Sequence, residues 1–177
     1  MTDHPDAKYQ TFQPRFIAGF VDGLILLPIG IADTLIFTQD IVWLTVAWIP
    51  VSYSAYWIYS VIGHGLYGQT VGKHAMKIMV LDNKTEEKIT MGQAILRDLF
   101  IIIVNILAAG TSIYFVLNQG TEFPQWLLIF SLVLGYGSVA WFLTEIVTCL
   151  TNKKSRALHD FIAGTVVVKL EEEKLPN

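Results

Sequence analysis

The sequence predicts an all-α membrane protein of four transmembrane helices, with both termini cytoplasmic and a small cytoplasmic strand-containing element. Three observations carry this prediction. Four apolar stretches, 16–37, 41–62, 99–117 and 126–150, are each long enough to cross a hydrocarbon core about 30 Å thick, which takes about 20 helical residues. All twelve Lys and Arg residues fall in three segments that alternate with these stretches. Hydrophobic residues make up 53% of the chain and charged residues 15%, against about 25% charged in an ordinary soluble domain.

The basic residues set the orientation. The N-terminal segment holds Lys8 and Arg15, the middle one Lys73, Lys77, Lys84, Lys88 and Arg97, and the C-terminal one Lys153, Lys154, Arg156, Lys169 and Lys174, whereas the connections 38–40 and 118–125 hold none. Lys and Arg near span ends stay on the cytoplasmic side, so these three segments are expected inside and the two connections outside. This divides the chain into an N-terminal tail (1–14), a membrane domain (15–170) and a charged C-terminal tail (171–177). The first stretch is too long, and its flank too polar, for a cleaved signal peptide.

Taken in order, Pro14 opens the first helix with a fixed φ, and Pro28 interrupts it near the middle, as Pro50 does the second. Gly19 and Gly23 stand four apart, a small-residue face that lets another helix approach. Trp43, Trp57, Tyr59, Trp126 and Tyr136 fit interfacial anchors, while Trp48 and Trp141 lie deeper and suit packing. Gly63, Gly65, Gly68 and Gly72 are expected to break up the start of the middle segment. After them 78–81 reads as a strand, 82–87 as a turn, and Thr90 with Gln93 as a capping box opening the third helix. Beyond the fourth helix, 155–162 suits a short amphipathic helix and 165–170 a β-branched strand, and the two strands are expected to pair beneath the helices.

The chemistry-bearing residues are the ionisable ones at the edges of the spans. Asp22 follows Arg15 by seven residues, about two turns, so both look toward the same neighbour about 10 Å apart along the axis. Arg97 and Asp98 start the third span and Glu145 lies near the cytoplasmic end of the fourth, so three helices bring charge to one layer. A lone charge at depth costs at least about 2.5–3.5 kcal/mol, so such groups face the bundle interior and find partners. Two readings follow. Arg15, Asp22, Arg97, Asp98 and Glu145 can be neutralising pairs that fix helix register. Alternatively a carboxylate, Asp22 first and Glu145 second, with Asp98 and Asn105 further candidates, binds a monovalent cation or proton on a translocation path. Asn105, and Asp33 with Thr34, are the polar stations toward the far side. His159 and Asp160 are expected to cap the short helix or tie the tail to the middle segment through Lys73 or Arg97.

Other classes find little support. His4, His64, His74 and His159 lack metal-ligand spacing and Cys149 stands alone on the cytoplasmic side, so neither a metal site nor a disulfide is expected. The run 68–73 lacks the full spacing and preceding strand of a phosphate loop. A net charge of −3 without a basic patch argues against nucleic acid, and no nucleophile–base combination points to an enzyme. No cofactor is expected.

The run RFIAGFVDGLIL from Arg15 through Asp22, the block GQTVGKHAMKIMVLD at 68–82 and RALHDFIAGTVVV at 156–168 together cover almost the whole chain. On these residues the chain resembles the RDD family of bacterial membrane proteins, named for one arginine and two aspartates. The arginine matches Arg15 and the first aspartate Asp22; the second maps onto Asp160, with Asp98 as competitor. One departure is His74 after Lys73, where a second basic residue is more usual. The resemblance implies an integral protein of the bacterial cell membrane, with transport the usual suggestion and sodium–proton antiport proposed for some members. Four helices are few for alternating access, which commonly uses paired repeats, so a transporter of this size is expected to be a homo-oligomer. The alternative is a structural or accessory membrane protein whose buried charges only assemble the helices.

Overall fold

A computed structural model of the protein describes residues 7–119, 122 and 124–170; His4, Lys174 and the 171–177 tail lie outside the described residues. Four long helices dominate: α1 (Phe12–Phe37), α2 (Val42–Ile62), α4 (Met91–Leu117) and α5 (Gln125–Thr151). Two short helices, α3 (Val71–Ala75) and α6 (Leu158–Ala163), and two strands, β1 (Ile78–Asp82) and β2 (Thr165–Lys169), complete it.

α1 and α4 start earlier than the apolar pattern suggested, because their first turns are polar and project beyond the apolar stretch. α1 begins at Phe12, placing Pro14 in a first turn whose N–H groups have no intrahelical partner anyway. α4 begins at Met91 behind the Thr90–Gln93 capping box. Both α1 and α2 continue through their prolines.

The glycines 63 and 65 do not break the chain. α2 passes into a π-turn (Gly63–Tyr67) and stops only at Gly68, which adopts φ 72°. A Cβ on Gly65 would lie 2.5 Å from Met91 Sδ, so a small residue lets this turn approach α4. The helix expected over 155–162 is shortened to Leu158–Ala163, since Ser155 takes a positive φ of 45° and Ala157 is extended.

β1 and β2 pair antiparallel with Val80 opposite Val167, and Leu81 also bridges Lys88. Ile78, Val80 and Val167 pack against Ala18, Val61 and Ala94 at the helix ends; Val166 and Val168 pack on Tyr9 and Leu81 beneath the N-terminal turn. β2 is thus covered on both faces, which explains its unbroken Val run. The largest buried apolar cluster lies where the bundle meets the sheet, not midway along the helices.

Elsewhere the helices turn apolar side chains outward: Phe16, Trp43 and Tyr136 are 71%, 76% and 72% exposed. Such surfaces require a nonaqueous solvent. Three helices, α1 with the turn before it, α4 and α5, are long and apolar enough to cross a membrane. α2 has 21 residues, but ten Ser, Thr, Tyr and Trp lower its mean hydropathy. It packs most extensively on α4 and then on α1, while α5 leans on α4 through stacked Phe100 and Trp141 rings 4.0 Å apart. Gly19 and Gly23 face away from the neighbouring helices, with nothing within 4 Å of a Cβ built on either. Ala18 and Asp22 hold the inward face instead.

Candidate functional site

Two carboxylates organise the sheet end of the bundle, and they do so separately. Asp22 is 3% exposed. Its Oδ1 accepts from the Tyr59 hydroxyl at 2.6 Å and the Gly72 N–H at 2.7 Å, and its Oδ2 accepts from the Thr70 hydroxyl at 2.7 Å. Tyr59 in turn accepts the Val71 N–H at 2.9 Å, so the first two N–H groups of α3 point into this cluster. Gly72 is required here, since a Cβ would lie 2.1 Å from the Ala18 carbonyl oxygen and 2.8 Å from Asp22 Oδ1. The expectation that Arg15 and Asp22 face one neighbour is thereby corrected. Asp22 fastens α1 to α3, whereas Arg15 reaches the C-terminal segment.

That second carboxylate is Asp160, fully buried near the middle of α6. Arg15 donates to Oδ2 at 2.5 Å, Arg97 donates to Oδ1, and the Thr165 hydroxyl and Ala157 N–H add bonds of 3.0 Å each. Burial pushes the Asp160 carboxyl up, but the Arg15 and Arg97 guanidiniums outweigh it and hold it well below the usual carboxylate range. Arg97 also bonds Thr165 Oγ1 at 3.0 Å and His159 Nε2 at 2.8 Å. Because a guanidinium only donates, His159 Nε2 accepts and its proton sits on Nδ1, 2.6 Å from Glu145 Oε2. Glu145 Oε1 accepts the His159 N–H at 3.0 Å. The tail is thus tied through Arg97 rather than Lys73, and one chain of contacts links α5, α6, α4 and α1.

The other candidates divide differently. Asn105 donates to the Ile101 carbonyl of its own helix at 2.8 Å, and Asp33 accepts from Trp48 Nε1 at 2.7 Å, joining α1 to α2. Asp98 Oδ2 is buried and meets no hydrogen-bond partner among the described residues; Glu145 Oε2 likewise has no hydrogen bond but lies 2.6 Å from His159 Nδ1. Arg15 Nη2 and His64 Nε2 share that condition, and His64 is only 2% exposed, its Nδ1 contacting Ser60 Oγ at 3.2 Å.

A family model for RDD matches residues 9–164, which takes in both Asp22 and Asp160. The chain belongs to the RDD family. No match is found among curated proteins or solved structures. In this RDD protein, Arg15 and Asp22 share a helix but serve different clusters, and Arg15 instead shares Asp160 with Arg97.

Tyr59, Thr70, Gly72 and Thr165 escaped the sequence reading of the site, and Lys73 entered it only as a tie for the tail. The signal available was the crowding of Thr70, Gly72 and Lys73 within one RDD block. Lys73 is half-buried within electrostatic reach of Arg97, Asp22, Arg15 and Asp98. Burial first, then the Arg97 charge, pulls its ammonium down to about 8. Between pH 8 and 10.5 the unfolded chain therefore retains a proton that the folded chain has released, so stability rises with pH across that window. Lys73→Met is expected to raise the thermal midpoint at pH 7 and flatten that rise, as read by tryptophan fluorescence of detergent-solubilised protein.

Proposed function

We propose that this integral membrane protein exchanges a monovalent cation against protons, with Asp98 as the exchangeable carboxylate and the Asp22 and Asp160 clusters as fasteners. The observation that carries this reading is the buried Oδ2 of Asp98, which has no hydrogen-bond partner among the described residues, whereas Asp22 and Asp160 have both oxygens bonded and Glu145 Oε2 lies 2.6 Å from His159 Nδ1. A buried acid with a vacant oxygen can take a proton or a cation without first breaking the scaffold. Tyr56 and Lys73 lie within electrostatic reach of it, and Lys73 changes charge close to neutral pH. In this reading α2 is the fourth span, the sheet end with its basic residues is cytoplasmic, and the protein resides in the cell membrane. The open Gly19–Gly23 face of α1 supports close approach of a second copy.

Cation-driven proton movement in everted vesicles tests the proposal, with sodium, potassium and lithium supplied in turn. A wild-type response to one cation should fall to the empty-vesicle baseline in Asp98→Asn at matched levels of folded protein. Asp22→Asn is the weaker probe, because its new amide N–H groups would face the donors Tyr59, Thr70 and Gly72 and disturb the fold. The second reading, charges that only assemble helices, draws on the complete partner sets of Asp22 and Asp160. It is the one left standing if no cation evokes a wild-type response.

A further inference from the structure

At the end of the bundle remote from the sheet, α1, α2, α4 and α5 surround a cavity of about 450 Å³. That is room for on the order of ten waters. Its lining includes Thr45, Tyr53, Thr111, Ser112, Gln119 and Ser131, with Asp40 at the turn between α1 and α2; the other five described lining residues are apolar.

The polar lining is biased toward accepting. The Thr111 hydroxyl donates to the Ala108 carbonyl at 2.8 Å and the Ser131 hydroxyl to the Leu127 carbonyl at 2.9 Å, so each spends its proton on its own helix and keeps oxygen lone pairs free. No Lys or Arg occurs among the described lining residues. Oxygen acceptors, a carboxylate and no fixed positive charge suit a cation and disfavour an anion.

Tyr53 belongs to this lining and bonds Ser112 at 2.8 Å, joining α2 to α4 across one side of the cavity.

We infer that this cavity is a water-filled vestibule that admits a hydrated monovalent cation from the outer face. The inference rests on the orientation and four-span topology of the proposed function, and not on exchange at Asp98.

Its test is thiol labelling in intact cells in a Cys149→Ser background, using membrane-impermeant cationic and anionic methanethiosulfonates. Gln119→Cys marks the rim, Thr45→Cys the interior, and Val139→Cys, on an exposed apolar stretch of α5, the lipid-facing control. Total thiol is counted after denaturation. Rim and interior positions should both react from outside while Val139→Cys stays unmodified. Relative to Gln119→Cys, Thr45→Cys should prefer the cationic reagent by roughly tenfold, the scale on which a cleft concentrates a counter-ion.

A reactive Gln119→Cys with an inert Thr45→Cys would overturn the vestibule, as would equal rates for the two reagents. Labelling of Gln119→Cys only in everted membranes would overturn the orientation and the inference together. Labelled Thr45→Cys in a protein without cation-driven proton movement would retain the vestibule and remove the exchange reading.

Discussion

Replacing Asp160 by alanine is expected to cost about 3–5 kcal/mol and to abolish most folded protein, because it strands two guanidiniums in a buried site. Arg97 is 6% exposed and has Thr165 and His159 as its other partners, neither of which carries a fixed negative charge. Among the described residues Arg15 would keep only Thr11, to which its Nε donates at 3.1 Å. The check is the monodisperse fraction recovered from detergent by size exclusion. Adding Arg97→Leu should recover part of the loss, since one stranded charge is then gone, and strict additivity of the two losses would count against a shared cluster. The low-lying Asp160 carboxyl also fixes the sign with pH. Its stabilisation is complete above about pH 4, where the unfolded carboxyl is ionised, and is lost only as pH falls through the lower folded value. Mild acidification to pH 5 should leave this fastener intact.

Gly72→Ala is the second large effect, expected at about 2–4 kcal/mol from overpacking and a lost charge-assisted hydrogen bond. The obstacle 2.1 Å from the new Cβ is backbone, the Ala18 carbonyl, so α3 must move off α1 and draw its N–H away from Asp22. Gly23→Ala on the same helix as Asp22 is the matched control. Its Cβ meets nothing within 4 Å, so folded yield should not fall. Thermal midpoints of the two variants in detergent decide the matter, and equal values would remove the close approach as the reason for glycine at 72.

Much of this was legible because it depends on short-range pattern. The Thr90–Gln93 capping box, the strand after Met76 and the β-branched strand after Gly164 follow from neighbours a few residues apart, and each stands where the pattern put it. The layer of charge was legible too, since seven residues of helix fix how Arg15 and Asp22 project from α1. Their partners were not legible. Asp22 lies 50 residues from Gly72, Arg15 lies 145 from Asp160 and Arg97 lies 63 from it. Helical spacing says which way a side chain points but not what arrives there.

By itself, then, the sequence determined the long apolar helices, the basic character of the sheet end and the two strands, because hydrophobic period, turn chemistry and Lys/Arg placement are local properties. Tertiary structure alone decided that α3 folds back onto Asp22, that Arg15 and Arg97 share Asp160, and that Asp98 keeps a vacant oxygen. The physical reason is the length of the chain between partners. A buried carboxylate is saturated by whichever donors packing delivers, and that delivery is set by the glycine-permitted approach of α3 to α1 and by the sheet that carries α6 beneath α4.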